Sequence, residues 1–365
     1  MSFLKKLIIN SKLALSRNDA KFDVKEVDEF TLGPTELGDT ADVHQFIFND
    51  FITNQALVYR LCKRGAGAKS EFWLIYRDAE RKLYVLKDQS FEPDIHTPGF
   101  VKVDKPLASI SFSYTGKMVE AKVNEKNELI LTNREVDFVI DGKFDADSGP
   151  FDYIHNTAKS VFANALSDIN LFQVFSRKVT WRKYVDLNRD VVLQSGRFHA
   201  AVKINNRNSH VINAPGVRFH TIGVFDWEQF DRYISNTVLL ENGDFIYIHQ
   251  VRHPYINELK WGVYFSRAQN TYYNLSNCTG MDGYPYVGTI PETFLTKAKF
   301  EDREDKLLDF KTNLYYLFNP AKHQNVYLGF TTCVYDNAVK GFAVSEFGFH
   351  TDQRRWYRSK RLSTY

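Results

Sequence analysis

From residue 44 to about residue 140 the chain is a succession of short runs in which apolar positions alternate with polar ones. "QALVYRLC" (55–62), "EFWLIYRD" (71–78), "RKLYVLKD" (81–88), "LASISFSY" (107–114), "KMVEAKV" (117–123), "ELILT" (128–132) and "EVDFVI" (135–140) are rich in β-branched and aromatic residues. Gly, Asp, Asn, Lys and Pro separate them, so each run reads as a strand bounded by turns. Spacing this close joins successive strands as antiparallel hairpins, as in a sandwich or barrel.

The period then changes. In "NTAKSVFANALSDINLFQVFSRK" (156–178), Val161, Ala165, Ile169 and Phe172, with Phe162, Leu166 and Phe175, recur every three or four residues, which predicts an amphipathic helix with Asn156 as N-cap. Alternation resumes in "GRFHAAVKI" (196–204), "SHVINA" (209–214), "NTVLL" (236–240), "DFIYIHQV" (244–251), "KWGVYFS" (260–266), "TFLTKAKF" (293–300), "KLLDFKTNLYYLF" (306–318), "NVYLGFTTCVY" (325–335) and "GFAVSEF" (341–347). Asn-Gly in "ENGD" (241–244) lies between two such runs and predicts a hairpin. No repeat of 20 to 50 residues is visible, which disfavours propellers and solenoids.

The expected organisation is therefore an amphipathic segment and linker (1–43), a first β-barrel (44–155), a helical junction (156–190), a second β-barrel (191–350) and a basic tail (351–365). At 365 residues the chain exceeds the size at which one core keeps growing.

Composition adds limits. The formal net charge is +3, which gives no bulk case for a nucleic-acid partner. Cys62, Cys278 and Cys333 are far apart and lack zinc spacing, so a reducing, cytoplasmic setting is expected, with no structural disulfide and no metal. Phe3, Leu4, Leu7 and Ile8 share a helical face opposite Lys5 and Lys6, within a segment that carries no acidic residue before Asp19. That face either docks on the protein itself, acts as a targeting peptide, or makes a peripheral membrane contact. Arg354, Arg355, Arg358, Lys360 and Arg361 surround Trp356 and Tyr357 in the tail, a pattern open to a solvated tail, a membrane surface or RNA, with nothing else in the chain supporting RNA.

Candidate chemistry concentrates in "GVRFHTIGVFDW" (216–227). In a regular strand Arg218 and His220 project to one face, and a buried Arg needs a partner, for which Asp226 is nearest in sequence. Two readings stand: His220 as acid or hydrogen-bond donor with Arg218 polarising the same ligand group, or an Arg218–Asp226 ion pair beside a structural His220. His249 and His253 have the i, i+4 spacing of metal ligands but follow a strand and precede Pro254, which argues against a metal. "CTGMDGYPYVG" (278–288) lacks the setting of a phosphate loop and reads as a loop at a barrel mouth, with Tyr284 and Tyr286 placed to gate entry. No G-x-S-x-G is present.

The stretch from Gln194 to Trp227 resembles the tandem lipocalin-like (calycin) superfamily. This group includes hydroxyneurosporene synthase or carotenoid hydratase proteins, fungal-type Diels-Alderases and survival-factor lipid carriers. Gln194 and Gly196 match the opening of its second-domain pattern, and Gly216, Arg218, His220, Thr221, Gly223, Asp226 and Trp227 match a motif close to G-Y-R-D-H-S-W-G-x-R-D-W. Phe219, Ile222 and Phe225 stand where that motif has Asp, Trp and Arg, so its polar network has lost two charges here. "SEFWLIYRD" and "GFAVSEFGF" are similar to an early and a last strand of the family.

The resemblance implies an all-β fold of two consecutive antiparallel lipocalin-like barrels with a connecting helix. It implies an apolar ligand, such as a lipid, isoprenoid or polyene, bound without cofactor. Ligand contacts are expected from Arg218, His220, Asp226, Trp227, Trp73, Trp261, Tyr264, Tyr284 and Tyr286. The alternative is a cofactor-free hydratase, isomerase or cyclase acting through His220 and Arg218.

Overall fold

The computed structural model describes residues 40–65, 68–91, 99–165, 189–205, 210–224, 227, 230–253, 256–284, 288–301 and 303–353. The expected membrane-contact residues Phe3 to Ile8, most of the basic tail, Asp226 and Tyr286 lie outside them. These residues form two bodies, one built from 40–153 and 189–224, the other from 154–165 and 227–353.

The first body contains β1 (Ala41–Asn49), β2 (Ala56–Arg64), β3 (Ser70–Arg77), β4 (Leu83–Val85), β5 (Ser90–Phe91), β6 (Gly99–Lys105), β7 (Ser109–Val123), β8 (Leu129–Ala146), β9 (Phe151–Asp152), β10 (Arg189–Ile204) and β11 (His210–Gly223). Hydrogen bonds run in the order β11-β1-β2-β3-β4-β7-β8-β10, and β10 pairs with β11, so eight antiparallel strands close on themselves. β5, β6 and β9 attach to β3, β7 and β10.

Alternation decides what fills this barrel. Phe46 and Phe48 of β1, Tyr59 of β2, Phe72 of β3, Phe112 of β7, Phe144 of β8 and Phe198 of β10 are inward residues of one core. Their rings meet at centroid distances of 4.9 Å (Phe46–Phe112), 4.8 Å (Tyr59–Phe72) and 5.0 Å (Phe144–Phe198). Each buried ring contributes about 1.5–3 kcal/mol of transfer free energy. So many rings fit because glycines face them: a Cβ at Gly142 would stand 2.4 Å from the Phe112 ring, and one at Gly216 2.3 Å from Phe198.

Along the chain, α1 (Tyr153–Asn156) and α2 (Lys159–Ala165) follow β9. The second barrel is β12 (Arg232–Leu240), β13 (Phe245–His253), β14 (Ile256–Ser266), β15 (Thr271–Cys278), β16 (Thr293–Phe300), β17 (Asp305–Ala321), β18 (Gln324–Tyr335) and β19 (Val339–His350), closed by pairing of β19 with β12. "ENGD" forms the β12–β13 hairpin, with Gly243 at φ 87°, a conformation that side-chain-bearing residues rarely adopt. β14 and β15 pair only through Val263–Ser266 and Thr271–Asn274. Beyond that pairing, Glu258, Lys260, Leu275 and Asn277 line a cavity of about 220 Å³, with Val161 and Asn164 of α2 on its other side.

The fold class is as expected, two consecutive antiparallel barrels, but two sequence expectations need correction. Residues 191–223 do not open the second barrel: β10 pairs with β8 from Gly196 to Ile204, β11 pairs with β1, and together they complete the first. Asn156 ends α1 rather than capping a long helix, and α2 starts at Lys159; residues 166–178 of the predicted helix lie outside the described residues.

Candidate functional site

One end of the first barrel is polar inside. Asp42 and His44 lie on the same face of β1 as Phe46 and Phe48, because side chains two apart on a strand point the same way. By the same rule Arg218 and His220 share the face of Ala214 on β11, and Asp190 and Gln194 that of Phe198 on β10. Register brings them together: His44 stands opposite His220, and Gln194 opposite Arg218. All six are buried. They form a polar layer next to the aromatic one, with Arg218 opposite Phe46.

Arg218 Nε donates to Gln194 Oε1 at 2.8 Å, and its Nη2 reaches the same oxygen. Gln194 is fixed in turn by donating to the carbonyls of Leu107 (2.9 Å) and Ser148 (3.0 Å). His220 Nε2 lies 2.9 Å from Asp42 Oδ1 in a hydrogen bond. His44 Nε2 lies 3.2 Å from the same oxygen, at an angle that makes no hydrogen bond. The two imidazoles stack at 4.1 Å and 14°.

Burial alone would raise the Asp42 carboxyl, but the charge interaction with His44 and the hydrogen bond of His220 outweigh it and hold Asp42 well below the usual carboxylate range. His44 is lowered to about 4, first by burial and then by the neighbouring His220, so its ring is neutral at neutral pH. Asp190 moves the other way, pushed up to about 8 by burial and by Asp152, with which it shares a side-chain hydrogen bond. A protonated Asp190 carboxyl therefore shares one buried layer with an ionised carboxylate. Among the described residues Asp42, His44 and His220 also form a group whose ligand atoms lie within 4.8 Å of one another, the set able to hold a metal ion.

Of the described residues singled out in the sequence, the structure brings Arg218 and His220 together and disperses the others. Trp73 lies on the opposite face of β3 from Phe72 and Leu74, outside the first barrel's interior, with the Arg60 guanidinium 4.4 Å above its ring. Trp227 packs with Phe230 and Tyr233, and Trp261 with Tyr247 and His249 on the outer side of the second barrel. Tyr264 and Tyr284 belong to the second barrel's core. With its amide nitrogen turned to Glu258 Oε1 and Thr279 O (2.9 Å each), Gln250 accepts from the Tyr284 hydroxyl at 3.1 Å, which lies 2.7 Å from Thr296. Tyr284 is thus tied down inside the barrel; the gate expected of it is not free at this position. Asp42, His44, Asp152 and Asp190 escaped the sequence reading. The signal was present in "DVH" (42–44), whose alternation continues into "QFIF", but the polar residues before it make it look like linker.

No family model matches the sequence, and no curated protein matches it. Among solved structures, kievitone hydratase from Nectria haematococca superimposes with a TM-score of 0.52 at 12% identity, covering 91% of this chain and 94% of that one. A putative AttH from Nitrosomonas europaea gives 0.45 at 9% identity, covering 89% and 97%. CghA gives 0.43 at 7%, covering 88% and 90%. At these identities the likeness to kievitone hydratase shows a shared fold, the tandem barrel that the motif resemblance implies.

Proposed function

We propose that this protein is an acid–base enzyme that adds or removes water, or shifts a double bond, in a small apolar molecule bearing an oxygen function, at the polar end of the first barrel. The observation that carries this reading is the convergence of Asp152–Asp190, Arg218–Gln194 and His220–Asp42 on one buried layer beside an aromatic wall. Apolar ligand sites have this make-up, a hydrophobic body with few placed polar groups. Neighbouring groups whose proton affinities are driven apart are the usual mark of an assigned acid and base.

In this reading the Asp190–Asp152 pair supplies the proton and His220, oriented by Asp42, receives one. Arg218, fixed by Gln194, faces the oxygen where negative charge grows. A placed general acid contributes about 10²–10⁴ in rate. The fold is shared with a protein named as a hydratase, which makes that class available to the fold without assigning it. A carrier that takes its ligand from a membrane surface through Phe3, Leu4, Lys5, Lys6, Leu7 and Ile8 is the second reading, favoured by the basic amphipathic pattern of that segment.

The test is native mass spectrometry of ligand carried through purification, then incubation of that ligand with protein in isotopically labelled water. Label entering the ligand, cut about hundredfold or more by Asp190→Asn with folding intact, supports the enzyme. Ligand recovered unlabelled and unchanged defeats it and leaves the carrier, which liposome flotation with residues 1–17 deleted then checks.

A further inference from the structure

His44 has no part in the acid–base scheme, yet it is buried to 1% exposure with neither ring nitrogen hydrogen-bonded. We propose that Asp42, His44 and His220 bind one divalent transition-metal ion, zinc by preference of the donor set. Two neighbouring strands build the site. Asp42 and His44 are two apart on β1 and so share a face, and His220 is the cross-strand partner of His44 on β11. Donors carried on strands inside a closed barrel are held in place before an ion arrives.

The donor spacing is close to that of an ion site. Tetrahedral zinc with bonds of about 2.0–2.1 Å separates its ligand atoms by about 3.3 Å. Asp42 Oδ1 stands 2.9 Å from His220 Nε2 and 3.2 Å from His44 Nε2, near that separation, and turning the stacked rings so that both nitrogens aim at one point completes the set. A hydrogen-bond network accounts for His220 but leaves His44 as a buried imidazole with unmet polar atoms, a cost that proteins seldom carry without reason. Coordination through Nε2 gives that nitrogen its partner. Arg218 also faces His44 and opposes a second cation. Asp42, held ionised, offsets it.

Two imidazoles and one carboxylate are the donor set of open zinc sites, where the fourth position takes water or a substrate oxygen. With an ion bound, His220 would serve as a ligand in place of the proton-accepting role given to it above; the inference is read on the resting protein and needs no substrate.

The test uses the full chain freed of metal by chelation and titrated with cobalt(II) as a spectroscopic probe. Four-coordinate ligand-field bands that saturate at one equivalent, are displaced by zinc, and vanish in His44→Gln and His220→Gln but survive in His249→Gln support the site. Absence of bands in folded wild-type protein, or their survival in both cluster variants, overturns it. Should those variants misfold, X-ray absorption of zinc-loaded wild-type protein answers the same question: two imidazole nitrogens and an oxygen support the site, and a shell without imidazole refutes it. The two proposals part cleanly, since labelled product without bound cobalt removes only the metal, and bound cobalt without labelled product removes only the acid–base reading.

Discussion

Gly142→Ala should destabilise the first barrel sharply, and the reason can be followed atom by atom. Its Cβ would lie 2.4, 2.8 and 2.9 Å from three atoms of the Phe112 ring, against an ordinary contact of 3.4–4 Å. Phe112 must therefore move by about 1 Å, and it is wedged between Phe46 at 4.9 Å, Tyr59 at 5.2 Å and Phe198 at 5.8 Å. Overpacking of this kind costs about 1–3 kcal/mol, and the crowded ring places Gly142 near the upper value. For a body of this size that lowers the midpoint of thermal unfolding by about 5–10 °C. The double variant Gly142→Ala with Phe112→Leu should recover at least about 1 kcal/mol relative to the sum of the singles, because every close contact is with the ring. Gly216→Ala should resist the matching rescue by Phe198→Leu, since its Cβ would also stand 2.4 Å from the backbone oxygen of Ile47, which no side-chain change removes. Gly149→Ala, with nothing within 4 Å, is the control and should stay within about 0.5 kcal/mol of wild type. Calorimetry of the full chain measures all seven variants, the two ring substitutions alone included. Equal stability of Gly142→Ala and Gly149→Ala, or no coupling between positions 142 and 112, would refute the ring-over-glycine account.

Two further outcomes follow from buried charge. Glu258 is raised above the usual carboxylate range, mainly by burial, with Lys260 opposing. A raised folded-state value means that the folded protein holds its proton more tightly, so this contribution is full below the unfolded carboxylate value and is lost as pH rises through the folded one. Glu258→Gln should therefore gain on wild type as pH rises, read as a growing difference in denaturant midpoint; a difference that does not change with pH contradicts the assignment. Glu71 holds Arg60 at 3.1 Å and Arg64 at 2.8 Å and is itself buried. Glu71→Ala leaves the Arg60 charge buried beside Trp73 and should cost about 3–5 kcal/mol, measured by urea unfolding of the first body, whereas a cost under about 1 kcal/mol would mean the guanidinium reaches water.

What could be read from the sequence was local. Alternation located most strands, and Asn-Gly located a hairpin, because both signals live within a few residues. Strand length was misread where a residue looked like a break: Thr115 and Gly116 lie inside β7, where Tyr114 folds over Gly116 and donates to the Lys117 carbonyl at 2.7 Å, so the glycine serves a ring rather than a turn. Inward and outward faces could not be told apart in "SEFWLIYR", since both are buried and the period-two contrast disappears; that is why Trp73 looked like a ligand contact. Barrel closure was out of reach, because β1 pairs with β11 across more than 160 residues of chain and only that register sets His44 against His220. Arg218 and His220 were legible because the motif keeps them two apart on one strand. Asp42, His44, Asp152 and Asp190 come from three other strands, and nothing short of the closed ring shows that they belong to the same layer. The misplaced domain boundary and the missed half of the site are thus one error: assigning β10 and β11 to the second barrel separates Arg218 and His220 from β1, the strand that completes their chemistry.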